Sequence, residues 1–179
     1  MSNNANEQQA DRVEIINDSG EAALSLITKA EIDMQIATAH AFPRSITKFL
    51  HKVKSLATVT PEIAESCMYA LPRGNKTVEG PSIRLAEIVA SCYGNLRTGA
   101  RVVLNDGKHV TAQGITHDLE NNIMHTEEVR RSILQHEWVP DPDRPGKSKK
   151  SGRMVTMNDD MQTVTGRAAC AIAYRNSVF

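Results

Sequence analysis

"LRTGARVVLNDGKHVTAQGITHDLENNIMHTEEVRRSIL", from Leu96 to Leu134, is the stretch that decides the fold. Two runs suited to strands, Leu96–Leu104 and His109–Leu119, flank Asn105-Asp106-Gly107-Lys108. Asp-Gly supplies the positive φ angles of a type I′ turn, so the two runs read as a hairpin. Glu120-Asn121-Asn122 turns the chain again, and Ile123–Leu134 reads as a third strand. The expectation is a three-stranded antiparallel meander.

Upstream, the pattern is helical. Thr28-Lys29-Ala30-Glu31 matches a capping box, followed by Ile32, Ile36 and Ala39 at helical spacing. Phe42-Pro43 breaks that helix. A second helix over Ser45–Ala57 places Ile46, Phe49, Leu50 and Val53 inside and Lys48, Lys52 and Lys54 outside. Thr60-Pro61-Glu62 starts a third with an N-cap, a first-position proline and an acid facing the macrodipole, running to about Ala70. A loop holding Pro72, Arg73, Gly74 and Lys76 precedes a fourth helix. That helix starts at Pro81 and ends near Gly94, with Ile83, Ala86, Val89, Ala90 and Tyr93 facing the core.

Downstream, Val139–Met157 reads as a long polar, flexible loop carrying Arg144, Lys147, Lys149, Lys150 and Arg153. Asn158-Asp159-Asp160 caps a last helix with Met161, Val164, Ala168 and Ile172 on one face. Gly166 and the alanines around it suggest close packing on the sheet. The fold class is therefore α+β: a helical N-terminal part, the meander, then a long helix packed on the sheet. Residues 1–27 read as an acidic, disordered leader and 28–179 as a single domain. No capping signal precedes Phe179, so the native chain is expected to continue beyond it.

The 179 residues are 40% hydrophobic but 4% aromatic, so the core must rest on aliphatic and small side chains. No apolar run approaches the roughly 18 residues of a membrane span. The polar start, MSNNANEQQADR, lacks the apolar segment of a secretory signal. Cys67, Cys92 and Cys170 are odd in number and widely spaced, which fits a reducing compartment and neither a disulfide framework nor a zinc ribbon. The zero net charge hides an asymmetry: residues 1–33 hold seven acids against Arg12 and Lys29, leaving +5 on the remainder. An acidic leader with a basic body points to a polyanionic partner.

Three kinds of chemistry can be weighed against this background. Gly74-Asn75-Lys76-Thr77 imitates only the tail of the nucleotide motif G-x-x-x-x-G-K-S/T, with no upstream glycine and no preceding strand. A metal could draw on His109, His117, Asp118, His125 and His136, above all if Asn121-Asn122 is a two-residue turn that sets Asp118 opposite His125. The plainer reading of that pair is a cross-strand polar contact. No nucleophile motif is present: GxSxG is absent, and no cysteine has a histidine at a recognisable spacing.

The basic residues remain. Arg97 and Arg101 alternate along the first strand, Arg130-Arg131 close the third, Arg167 and Arg175 mark the last helix, and Arg73 and Lys76 lie in the loop before the fourth. With Lys149 and Lys150 they are either solvated surface or the lining of one groove that follows phosphates without reading sequence. Tyr93, Trp138 and Tyr174 are the few stacking options, which argues against a stacking platform of the OB or RRM kind.

The stretches "YALPRGNKTVEGPSIRLAEIVAS", "GNLRTGARVV", "TAQGITHDLENNI" and "DDMQTVTGRAACAIAYRNSVF" resemble a family of phage and prophage proteins associated with recombination genes. The order of helix, meander and Ala-rich helix with interspersed Arg also resembles the core of the single-strand annealing group (Rad52/RecT/Redβ). That resemblance implies rings or filaments holding single-stranded DNA in a basic groove and annealing complements without ATP. It implies a stoichiometric role and not an enzymatic one, with no required cofactor, Mg2+ being admissible but not needed. It further implies a homo-oligomer in the bacterial cytoplasm, away from membranes. A host single-strand-binding protein and a phage exonuclease would be further partners. The alternatives are a metal-dependent nuclease using Asp118 and His125, and a module that binds a host factor through the acidic N-terminal segment.

Overall fold

The computed structural model describes residues 25–179, so most of the acidic leader lies outside the described residues. Two compact units divide the chain, one ending at Pro43 and one running from Arg44 to Phe179. In the first, residues 25–41 form α1, which stops before Phe42-Pro43. Ser25, Leu26 and Ile27 are already helical, so the Thr28 box lies within the helix and does not start it. No breaker separates these residues from Thr28, and extending an existing helix needs no new nucleus. Lys29 Nζ reaches Asp33 Oδ2 at 2.7 Å, one turn on.

The second unit opens with α2 (Ile46–Ala57), whose first turn is capped by the Ser45 side chain, and α3 (Pro61–Ser66), capped by Thr60. Phe49, Val53 and Ala57 are half-buried on α2, but Ile46 and Leu50 stay exposed. The expected continuation of α3 to Ala70 does not occur. Met68–Arg73 (β1) and Lys76–Pro81 (β2) pair as an antiparallel hairpin, and the expected loop is its turn. Then come α4 (Ile83–Tyr93), β3 (Leu96–Asn105), β4 (His109–Asp118) and β5 (Ile123–Ser132). Ser82 caps α4, Pro81 belongs to β2, and Ala86 and Ala90 are the buried face.

The meander has the strand order β3-β4-β5, all antiparallel. Its first turn lies one residue later than the Asp-Gly pattern suggests. Gly107 and Lys108 are central, while Asp106 Oδ1 accepts from the Lys108 and His109 amides at 2.9 and 2.6 Å. Both two-residue turns place glycine first, Gly74 at φ 60 and Gly107 at φ 77, as the II′ geometry requires. A bulge at Val103 leaves Val102 on one face of the sheet and Leu104 on the other.

After the meander the structure departs again from expectation. Ile133 ends the third strand, and Leu134–Pro140 (β6) pairs with Ser148–Thr156 (β7). The segment read as a loop is thus an ordered hairpin. Its two strands bury no common face, so no period-two apolar pattern marks them in the sequence.

The last helix, α5 (Asp159–Val178), is capped by Asn158, whose Oδ1 accepts from the Met161 amide at 2.9 Å. It lies across one face of the meander. Gly166 and the alanines pack on the sheet as expected, but the apolar face does not: Met161 and Val164 are exposed, while Gly166, Ala169, Ala173 and Ser177 are buried. Close approach selects small residues here. A Cβ on Gly114 would stand 2.2 Å from the Ala173 carbonyl oxygen, so only glycine fits opposite that turn of helix. Val110, Ala112, Ile133, Ala169 and Ala173 form the core of this contact. Among the described residues, no helix is long and apolar enough to cross a membrane.

Candidate nucleic-acid interface

Strand alternation and α5 together fix which side chains face outward. Thr98 bonds Tyr174 at 3.2 Å and Thr116 bonds Ser177 at 3.1 Å, so even-numbered positions of β3 and β4 up to the bulge face the helix. Arg97 and Arg101 therefore project from the opposite face, where they pair in register with His117 and Gln113. Arg130, opposite Thr111 on β5, joins them. Within this second unit no helix or strand packs on this face.

The three arginines differ in freedom. Arg130 Nη2 lies 2.9 Å from Asp106 Oδ2 and 3.1 Å from His109 Nδ1. The Asp106 carboxyl is held below its usual range, chiefly by the Lys108 and His109 backbone amides. Arg97 and Arg101 have no ion-pair partner among the described residues. The acid nearest in register, Glu128, lies opposite Gln113 and accepts from it at 3.4 Å. Two free guanidiniums four residues apart on one strand stand ~13 Å apart at the root. That spacing suits two phosphates of an extended strand.

The other predicted residues are placed elsewhere. Arg73 and Lys76 face each other at the tip of the β1–β2 hairpin, both exposed. Lys149 and Lys150 lie on β7, where Lys149 Nζ is 3.9 Å from Asp141. Arg131, opposite Val110, and Arg167, on α5, belong to the helix-covered side. Arg175 stacks 4.8 Å over the Tyr69 ring and donates to Asn176, so it joins α5 to β1. The ten residues do not line one groove. Arg97, Arg101 and Arg130 share a face; the rest form separate groups.

The register removes the pairing on which the metal reading drew. The β4–β5 turn spans four residues, Leu119 to Asn122, so Asp118 lies opposite Ile123 and His125 opposite Thr116. Asp118 is ion-paired with Arg44, which also reaches Glu120 Oε2 with its Nε at 3.0 Å. Burial pushes the Asp118 carboxyl up, but hydrogen bonds from Arg44, Asn121 and the Glu120 amide outweigh it and bring its pKa down to about 2. Nothing local in the sequence announces Arg44: it follows a helix break and finds its partners 74 residues away.

A second feature lies on the helix side. A groove of 990 Å³ runs beside the open edge of β3, floored by Gly99, Ala100 and Val102 and walled by α4 and α5, with Arg167 at its rim. Among the described residues β3 pairs only with β4, so its outer backbone groups face this groove without a strand partner there.

Compared with known proteins, the chain matches no family model, no curated protein and no solved structure.

Proposed function

We propose that the chain is a single-strand DNA-annealing protein that holds its ligand by the phosphate backbone and pairs complementary strands without ATP. The observation that carries this reading is the pair Arg97 and Arg101, unpaired cations on an uncovered sheet face. A phosphate-tracking face needs such groups, because each contact releases condensed counterions and requires no base recognition. The meander β3–β5, followed after the β6–β7 hairpin by α5 on the sheet, adds support, because the single-strand annealing core also sets a helix after a three-stranded meander. Assembly would use the groove beside β3, whose open edge can accept a strand from a neighbouring protomer. Adjacent protomers would then set their arginine faces in series.

Annealing of two dye-labelled complementary strands, followed by energy transfer in EDTA without nucleotide, tests the proposal. The expected result is acceleration that saturates with protein per nucleotide. No acceleration, with single strands unbound at low salt, sinks it.

A further inference from the structure

The β6–β7 hairpin is an arm. Neither strand packs appreciably against another element of the unit. It is held at its root, where the Met157 amide donates to the Ile133 carbonyl at 2.8 Å and Thr156 Oγ1 to the Gly107 carbonyl at 3.2 Å. A two-stranded hairpin standing alone is marginal in water, so its side chains act at the surface or not at all.

The arm carries the chain's single tryptophan. Trp138 is 60% exposed, a rare state for the largest apolar side chain. The three tyrosines are all engaged. Tyr69 lies under Arg175, Tyr93 lies under Arg44 and against Phe49, and Tyr174 bonds Thr98. Lys150 stands opposite Trp138 in the hairpin register, with its Nζ 5.9 Å from the ring centroid. Lys147 and Arg153 flank it on the same strand or turn, exposed and without ion pairs among the described residues. An exposed indole beside unpaired cations matches one ligand chemistry, an unstacked base on a phosphate backbone.

We propose that the β6–β7 arm is a second contact for single-stranded nucleic acid, in which Trp138 stacks on a base while Lys150 and Arg153 hold the adjoining phosphates. This rests on the reading of the chain as a single-strand binder and adds a base contact to it. A duplex keeps its bases stacked inside and offers the indole nothing, so the arm favours single strands.

The single tryptophan makes the test direct. A dye-labelled oligo-dT is titrated into the full chain, with anisotropy reporting binding and indole fluorescence reporting the arm. An abasic strand of the same length serves as control. The expected result is fluorescence quenching by oligo-dT and little by the abasic strand. Trp138→Ala should lose about tenfold in affinity for oligo-dT, and Trp138→Phe clearly less. Lys150→Gln with Arg153→Gln should lower the salt slope by about 1.4. If oligo-dT binds by anisotropy while the fluorescence and the Trp138→Ala affinity stay unchanged, the arm proposal falls and the annealing proposal stands. If no strand binds, both fall.

Discussion

Arg44 and Asp118 form an ion pair across 74 residues of sequence, joining the residue before the α2 cap to the last residue of β4. The Arg44 side chain is 6% exposed and lies 4.1 Å over the Tyr93 ring. Glu120 accepts from the Arg44 amide at 2.5 Å and from Asn95 at 2.6 Å, closing the cluster. Removing one member leaves the opposite charges desolvated and uncompensated, which costs more than the pair contributes. Arg44→Met should therefore destabilise the protein by ~3 kcal/mol. Urea unfolding checks the value. Adding Asp118→Asn should restore part of the loss, and strict additivity would show that the two residues do not interact.

The same cluster sets a pH dependence. The folded pKa of Asp118, about 2, lies below the ordinary value of 3.8. A depressed carboxylate contributes stability above its unfolded pKa and loses it as pH falls through the folded one. The loss should fall between pH 4 and pH 2 and amount to ~2 kcal/mol. Chemical denaturation across that range should show a steeper decline in the native protein than in Asp118→Asn.

Gly114 and Ala173 set how closely α5 approaches the sheet. A methyl group on Gly114 must push the helix away, because the obstacle is backbone and cannot rotate aside. Gly114→Ala should destabilise by ~3 kcal/mol through overpacking. Gly99→Ala, whose Cβ would meet nothing within 4 Å, should be close to neutral. Thermal melts of the two variants distinguish a close-packing requirement from a general intolerance of side chains in β3 and β4.

Arg97 and Arg101 offer the clearest test of the interface. Replacing both with Gln removes two exposed cations and no ion pair among the described residues. Single-strand affinity should fall, and the slope of log affinity against log salt should drop by about 1.4. The melting temperature should stay within a degree or two. Unchanged salt dependence would return these arginines to ordinary solvated surface.

The meander was legible because each of its signals is local. Asp106-Gly107 and Asn121-Asn122 punctuate strands of regular length, and Asn158 caps α5 as its residue type suggests. The two lone hairpins were not legible. β1–β2 and β6–β7 bury no common face, so hydrophobic alternation has no cause there, and Gly74-Asn75 resembles a loop as readily as a turn. The packing face of α5 was legible in part, through Gly166 and the alanines around it. Hydropathy favours Met161 and Val164, but the sheet admits only Gly166, Ala169, Ala173 and Ser177. Of the candidate site, strand alternation placed Arg97 and Arg101 on one face. The Arg44 cluster depends on a contact between distant segments that no local pattern encodes.

Ile133 is the largest fully buried side chain among the described residues, and it sits at the root of the arm. Its amide donates to the Lys108 carbonyl at 2.9 Å, inside the best-packed part of the unit. Exchange of that amide hydrogen with solvent deuterium should need a far larger opening of the unit than exchange along the arm, which needs only a local one. Slowly and rapidly exchanging amides should thus lie within a few residues of one another. A strand bound along the arm would be recorded as slowed exchange of the arm's own amides, on the C-terminal side of Ile133.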